Sequence, residues 1–450
     1  MKIIYSLFLF LAITINGFGQ DITGKWYGQT DLGVIKLRIV FNFEKNGDTY
    51  TGTMLSPDQS TQERSITKVT FENNEFNIAI ASLGFIYTGT LNEGIIDGSF
   101  TQMGSTFPLK LSREEIKREK RPQEPKAPYP YKEEEVSFSN KKANIKLAGT
   151  LTIPEKGSDF TAVVLVSGSG AQNRNSELMG HKPFHVIADF LTRQGIAVLR
   201  YDDRGIEKSE GNYITSNIPD FADDVAAAID YLKTRKEINS QKIGIIGHSE
   251  GGMVAVMLAS ENIPSFIVSL AGPGITGREV MKTQREALYR LSNVPEIHIN
   301  QHNELFSKIE EVVIDPDFKR ELFKDKLKPL IAGTPLEGQE EILLNQMSSP
   351  EMISLLKYDP AAYFNNIKCP VLALNGDKDM QIISGINLEG FRQITTNGNT
   401  NVTIKEYPRL NHLFQTCTTG FPTEYGDIEE TISPKVMNDI AGWILNLQPL

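Results

Sequence analysis

The sequence predicts a chain in two parts: a small all-β unit, then an α/β unit whose sheet is interrupted by a long helical insertion. Three observations lead there. Over residues 21–113, short strand-like runs alternate with turns and show no helical period. From residue 136 onward, strands alternate with helical stretches, as in a parallel α/β sheet. Within this second part, residues 242–253 (KIGIIGHSEGGM) run from the β-formers Ile243, Ile245 and Ile246 into Gly247-His248-Ser249-Glu250-Gly251, then into a helix-like stretch over 252–260. Strand, sharp turn and helix around G-x-S-x-G is the setting in which a serine sits on a strained, exposed corner, with glycines where strand and helix come too close for side chains.

The chain of 450 residues is 40% hydrophobic and 23% charged, with ample material for two or three domains. Its net charge of −10 argues against a nucleic-acid partner. The one dense basic run, 117–126, is interleaved with Glu119 and Glu124. At the start, Lys2, an apolar stretch over 3–15 and Asn16-Gly17-Phe18-Gly19 before Gln20 read as a secretory signal of residues 1–19. The apolar stretch is short for a membrane span, and no later segment reaches that length. The expectation is therefore an exported protein, periplasmic or secreted, with no membrane span after signal cleavage. The two cysteines, Cys369 and Cys417, make neither a disulfide scaffold nor a zinc site and read as two buried thiols.

Within 20–113 the strand-like runs are 26–27, 35–43, 50–54, 66–71, 76–81, 85–91, 95–100 and 107–111. Lys36-Leu37-Arg38-Ile39 and Glu75-Phe76-Asn77-Ile78 alternate polar with apolar, and the meander suggests a small barrel or closed sandwich. Its opening, Gly24-Lys25-Trp26-Tyr27, resembles the start of lipocalin-like barrels, so it is read either as a ligand cup or as a side-chain-filled module. Residues 114–135 form a charged linker with Pro122, Pro125, Pro128 and Pro130, and Glu133-Glu134-Glu135 reads as solvated surface. The α/β unit, 136–450, opens with an antiparallel pair (136–139 and 146–153). A fully apolar strand follows at 162–166, as expected when both faces are covered. A helix (184–194), a strand (196–201) and a helix (221–233) lead to the elbow. Beyond a further strand at 266–270, residues 277–364 have only helical periodicity, a cap of four or five helices. Strand–helix rhythm then resumes at 371–375 and continues to 447.

A nucleophilic serine needs a base within hydrogen-bond reach and an acid to orient the base. Of the six histidines, His248 adjoins Ser249 and should point away from it. His181 and His185 precede the elbow, and His298 and His302 lie in the insertion. His412, in Leu410-Asn411-His412-Leu413-Phe414 after the last strand of the sheet, fits a base delivered to the sheet's carboxyl edge. The acid is expected between serine and histidine in chain order. The strand at 371–375 ends in Gly376-Asp377-Lys378-Asp379, where G-x-x-D spacing selects Asp379 and leaves Asp377 to cap the turn. A calcium loop fails there, because Gln381 holds a ligand position and no glycine follows where that loop must bend. For the oxyanion hole, the backbone N–H of Glu250 is joined by one from Ser167-Gly168-Ser169-Gly170, with Ser169 first and Gly170 second. This turn also echoes a phosphate loop, but Asn173 stands at its third glycine position and there is no P-loop lysine.

With Ser249, Asp379 and His412 in place, the stretch 136–447 resembles the α/β-hydrolase family, nearest its serine aminopeptidase and carboxylesterase branches. The resemblance rests on the G-x-S-x-G pentapeptide, Gly376-x-x-Asp379, Asn411-His412 and Tyr201-Asp202-Asp203-Arg204-Gly205. It implies an α/β-hydrolase sheet with a helical cap, and acyl transfer to water by a Ser249–His412–Asp379 set without metal or cofactor. Glu207 departs from the pattern, standing where the family carries glycine, and Arg204 reads as a structural tie between loops. Glu250 is the least explained side chain: Arg174 or Arg204 could neutralise it, or it could bind a substrate amine. The substrate is expected to be a small ester or, alternatively, a short peptide. Acids of the cap, Glu304, Glu310 and Glu311, read as surface residues. A third reading is a non-catalytic ligand-binding protein on a hydrolase scaffold.

Overall fold

A computed structural model of the chain describes residues 21–31, 36–47, 49–58, 63–102, 104–116, 121–396 and 398–447. The expected signal, 1–19, lies outside the described residues, as does 117–120 of the expected linker. The chain divides into two compact units, 1–117 and 118–450. Among the described residues no helix is long and apolar enough to cross a membrane.

The first unit is a ten-stranded antiparallel sheet: β1 (Gly24–Asp31), β2 (Lys36–Asn46), β3 (Thr49–Leu55), β4 (Arg64–Ser65), β5 (Lys68–Glu72), β6 (Glu75–Ile80), β7 (Phe85–Asn92), β8 (Ile95–Gln102), β9 (Ser105–Pro108) and β10 (Leu111–Ser112). The strand order is β4-β3-β2-β1-β10-β8-β7-β6-β5. Its two ends are successive pieces of one stretch: Ile66 N donates to Gly52 O of β3, and Thr67 N to Ala79 O of β6. The sheet thus curls back on itself. The expected strand 107–111 is split at Pro108, which has no N–H to continue the ladder: β9 pairs with β8, and β10 pairs with both β8 and β1. Trp26, Phe41, Phe43, Phe76 and Tyr87 fill the interior, with Phe43 and Phe76 edge to face at 5.1 Å. That packing is of a side-chain-filled module, not a cup. The Arg113 guanidinium covers Trp26 at 3.9 Å.

The second unit is built on β11 (Tyr131–Asn140), β12 (Ile145–Pro154), β13 (Phe160–Val166), β14 (Ala197–Tyr201), β15 (Ile238–His248), β16 (Ile267–Leu270), β17 (Val371–Gly376) and β18 (Val402–Tyr407). Their order is β11-β12-β14-β13-β15-β16-β17-β18, with antiparallel pairing only at β11/β12 and β12/β14. Strand β13 is apolar on both faces, so Val163 and Leu165 join one core and Ala162, Val164 and Val166 the other. Helices α1 (Pro183–Arg193) and α11 (Pro434–Leu445) cover the first face. Helices α2 (Ile218–Lys233), α3 (Glu250–Ser260) and α10 (Ser384–Thr396) cover the second. The opening strand begins at Tyr131, earlier than expected, and takes in the glutamate run. Strand alternation sends Glu133 and Glu135 to Arg200 and Arg174 (3.3 and 2.8 Å) and Glu134 to Arg235 (2.8 Å). Each acid is paired with an arginine, while Glu133 and Glu135 remain exposed as the solvated reading expected and Glu134 is half-buried.

The cap has six helices, α4 (Gly277–Leu291), α5 (Glu296–Ile314), α6 (Arg320–Ile331), α7 (Glu340–Met347), α8 (Pro350–Lys357) and α9 (Ala361–Phe364), the last a single turn. It has its own core, with Ile309, Val313, Phe323, Leu327 and Ile331 fully buried. Glu310, expected on the surface, is buried at 3% exposure, because Arg278 at 3.3 Å and Arg285 at 3.7 Å draw it inward. Glu304 and Glu311 are exposed as expected. Both cysteines are free thiols, Cys369 buried and Cys417 half-buried.

Candidate functional site

The elbow between β15 and α3 has the geometry its sequence demands. Ser249 lies at φ 54°, ψ −118°, a strained conformation for a residue with a side chain. The glycines answer to space. A Cβ on Gly247 would sit 2.1 Å from Gly251 O, and one on Gly251 would sit 2.3 Å from Val166 O. A Cβ on Gly252 would sit 2.7 Å from Gly272 Cα, where α3 crosses the chain after β16. The corner is tied down by Ser249 N, which donates to Leu270 O at 2.9 Å.

Asp379 and His412 arrive from the ends of β17 and β18. His412 Nδ1 donates to Asp379 Oδ2 at 2.8 Å, and both side chains are almost wholly buried. The other carboxylate oxygen, Oδ1, accepts the N–H groups of Gln381 and Ile382, each at 2.8 Å. Bonds to both oxygens fix the carboxyl group in place. Asp377 faces away and accepts from Arg409 N at 2.6 Å, on the loop that leads to His412. The His412 loop is shaped by Asn411, whose side-chain oxygen takes the N–H groups of Leu413 and Gln415 at 3.0 and 2.9 Å. Gln415 in turn bonds Asn411, His181, Tyr425 and Glu430.

His248 does not point away as expected. Its Nε2 donates to the His412 carbonyl at 2.9 Å, and the two rings lie 4.7 Å apart. Burial and the neighbouring His412 push its pKa down to about 3, so it is a neutral donor that braces His412. The other histidines stand elsewhere. His181 is buried against Thr431 and Tyr425, and His185 packs edge-on to Tyr129. In the cap, His302 meets Tyr289 and His298 meets Gln301.

Ser249, His248, His412, Gly168 and Ser169 line a cavity of about 100 Å³, closed by apolar side chains that include Leu178, Phe184, Leu413 and Ile432. The turn after β13 lies against the elbow: a Cβ on Gly168 would be 3.1 Å from Ser249 Cβ. Among the described residues no acceptor takes the Ser169 N–H. Gly170, the second choice for an oxyanion donor, has its N–H taken by Glu351 Oε1 at 3.1 Å. Glu250 begins α3, where first-turn N–H groups have no intrahelical acceptor.

The Glu250 side chain corrects an expectation. Neither arginine neutralises it. Arg174 is engaged by Asp202 and Glu135, and Arg204 by Asp224, Ser216 and the Asp220 carbonyl. Arg204 is the structural tie it was read as. Glu250 is 6% exposed, its Oε2 has no hydrogen-bond partner among the described residues, and burial, then the nearby Glu351 and Asp203, raises its pKa well above its ordinary value. Its surroundings thus favour the protonated form. Asp203, which accepts from Ser167 Oγ and Gln172 N, is pushed up to about 7, chiefly by burial.

Comparison with known proteins agrees with this geometry. The profile of the family described as serine aminopeptidase, S33 matches residues 179–343, a span that holds Ser249. Esterase EstD of Thermotoga maritima is 28% identical over 315 residues, covering 69% of this chain and 68% of its own. The second unit is a serine hydrolase of the α/β-hydrolase fold. Among solved structures, an esterase of Pyrococcus furiosus is 18% identical, covers 74% of this chain and 98% of its own, and has a TM-score of 0.44. A hypothetical protein of Pseudomonas aeruginosa is 15% identical, covers 73% and 98%, and has a TM-score of 0.46.

Several groups around the hydrolase site escaped the sequence reading. Glu351 and Tyr213, which share a 2.9 Å hydrogen bond, come from the cap and from the loop before α2. Glu351 sits in the first turn of a helix, where an acid is ordinary, so its sequence carries no signal. Asn411 and Gln415 are visible only as polar residues in a loop. Glu207 adopts φ 47°, the left-handed conformation its family's glycine would favour.

Proposed function

We propose that this chain is an exported hydrolase of small carboxylic esters that works through an acyl-enzyme on Ser249. The observation that carries the reading is the buried 2.8 Å His412–Asp379 bond, opening on the same cavity as Ser249 on its strained corner. His412 Nε2 takes the Ser249 hydroxyl proton as Oγ attacks the ester carbonyl. Asp379 holds Nδ1–H and stabilises the imidazolium that forms. The N–H groups of Ser169 and Glu250 receive the oxyanion. His412 returns the proton to the leaving alcohol, and water, activated by the same ring, releases the acid. Neutral His248 braces His412 without adding a second positive charge beside it.

The cavity supports a short acyl group. At about 100 Å³ it is smaller than the apolar cavity of about 150 Å³ that accommodates benzene. An ester is favoured over a peptide because Glu250, the acid nearest the elbow, is buried, and burial disfavours the charged form that would anchor a substrate amine. The name of the EstD relative points the same way. Export rests on residues 1–19, and the N-terminal sequence of mature protein from the secreted or periplasmic fraction tests it. Hydrolysis of p-nitrophenyl acetate against a proline anilide tests the substrate class. Preference for the anilide would overturn the ester reading, and failure of a fluorophosphonate probe to label Ser249 would revive the non-catalytic one.

A further inference from the structure

The turn that carries Ser169 is held from two directions. On one side Asp203 accepts Ser167 Oγ at 3.0 Å and Gln172 N at 2.9 Å. On the other, Glu351 Oε1, from the first turn of α8 in the cap, accepts Gly170 N at 3.1 Å. Gly170 itself stands at φ 87°, a conformation with no side-chain contact to hold it, since a Cβ there would meet nothing within 4 Å. Beyond Gly170 the chain is also tied by Gln172, whose N–H goes to Asp203 and whose Nε2 reaches the Ser169 carbonyl at 3.5 Å, but Glu351 supplies the bond described at the Gly170 N–H itself. The Glu351 carboxyl is itself aimed by Tyr213 Oη, which donates to the same oxygen at 2.9 Å. Tyr213 is held in place by Phe221, whose ring stacks on it at 5.0 Å.

The arrangement is electrostatically costly. Glu351 and Asp203 each lie close enough to Glu250 to oppose its ionisation, and Glu250 is left without a hydrogen bond for Oε2. A cap helix had many surface positions for an acid. One directed instead at a backbone N–H beside the nucleophile, through an acidic neighbourhood, calls for a use.

We propose that Glu351 is a positioning residue for the oxyanion hole: by taking the Gly170 N–H it fixes the turn so that the Ser169 N–H faces Ser249, and it thereby makes the cap part of the catalytic apparatus. This rests on the reading of Ser249 as the nucleophile. Glu351 touches neither the reacting atoms nor Ser249. Its effect is through the placement of Ser169, and a displacement of that donor by about 1 Å costs on the order of 100-fold in rate.

The test uses the full chain with Glu351→Ala, Glu351→Gln and Tyr213→Phe, and two readouts: kcat and KM on p-nitrophenyl acetate, and the rate of fluorophosphonate labelling at Ser249. Glu351→Ala is expected to lower kcat and the labelling rate together by about 10- to 100-fold, with KM changed by less than about threefold. Glu351→Gln keeps an acceptor oxygen and restores most of both. Tyr213→Phe, which leaves the Gly170 bond but loosens its acceptor, falls between. Wild-type rates in Glu351→Ala would overturn the proposal. So would a loss confined to KM, which would make Glu351 a substrate contact, or equal losses in the Ala and Gln variants, which would make its charge the cause. A wild type that labels but cleaves no ester removes the ester reading alone, because labelling still reports on the turn. A wild type that does neither removes both.

Discussion

The two sides of Ser249 are built on opposite principles. Toward β17 and β18, both oxygens of Asp379 are hydrogen-bonded, and His412 is held at its ring by Asp379 and at its carbonyl by His248. Toward β13 and the cap, Glu351 and Asp203 both lie near Glu250, and among the described residues no arginine is a hydrogen-bond partner of the three carboxyl groups. The first side gives a fixed acceptor to the ring on which a cation must form. The second disfavours charge on Glu250 by burying it where an oxyanion must form, because an ionised Glu250 beside its own N–H would oppose the negative oxygen that this N–H receives. Carboxyls of one chemistry thus serve different ends, according to the donors each is given.

The comparison is broken most severely by removing what both sides serve. Ser249→Ala is expected to abolish ester hydrolysis, a loss on the order of 10⁶ in kcat, with the thermal midpoint kept. A folded variant with substantial activity would remove the serine from the mechanism. On the satisfied side, Asp379→Asn preserves shape but offers an amide where His412 needs an anionic acceptor. A fall of about 10⁴ in kcat is expected, read by steady-state kinetics. A fall of less than about tenfold would mean that another acid orients the ring.

His248→Phe is a smaller disturbance. It keeps a ring beside His412 but deletes the donor to its carbonyl, and about a tenfold loss in kcat is expected. Because His248 is already neutral throughout the working range, the pH–rate profile should keep its shape. A shifted profile would mean that His248 titrates with the reaction.

How legible this was depended on how local the cause is. The elbow could be read because its glycines are demanded by contacts within one strand–turn–helix. Asp379 and His412 could be named because each follows a strand whose apolar run marks it as part of the sheet. The six-helix cap was legible as helical, but not in what its side chains touch. Glu310 looked like one more acid on a helix until Arg278 and Arg285 were seen converging on it. The glutamates of β11 are surface residues as they looked, but their ion pairs could not be read because the arginines lie in three other places along the chain, at 174, 200 and 235. His248 was assigned a direction from its sequence neighbour, but the His412 carbonyl decides it, and that contact spans 164 residues. Pairings over such separations leave no trace in local pattern.

The smallest expected effect tests the crowded side directly. Glu250 and Asp203 both have pKa values raised on folding, Asp203 to about 7. A carboxyl raised in the folded state contributes stability that is fully present below its unfolded pKa and is lost as pH climbs through the folded one. The thermal midpoint should therefore fall as pH rises from about 4.5 through 7 and beyond, the reverse of what paired carboxylates produce. Glu250→Gln replaces the neutral acid with a neutral amide of the same shape, so the variant should decline less steeply than the wild type over that range. Subtracting one curve from the other removes the groups that do not interact with Glu250 and leaves Glu250 with its coupling to Asp203. Parallel curves would show that Glu250 ionises in the folded protein as easily as in the unfolded chain, and the contrast between the two sides of Ser249 would then fail on its own terms.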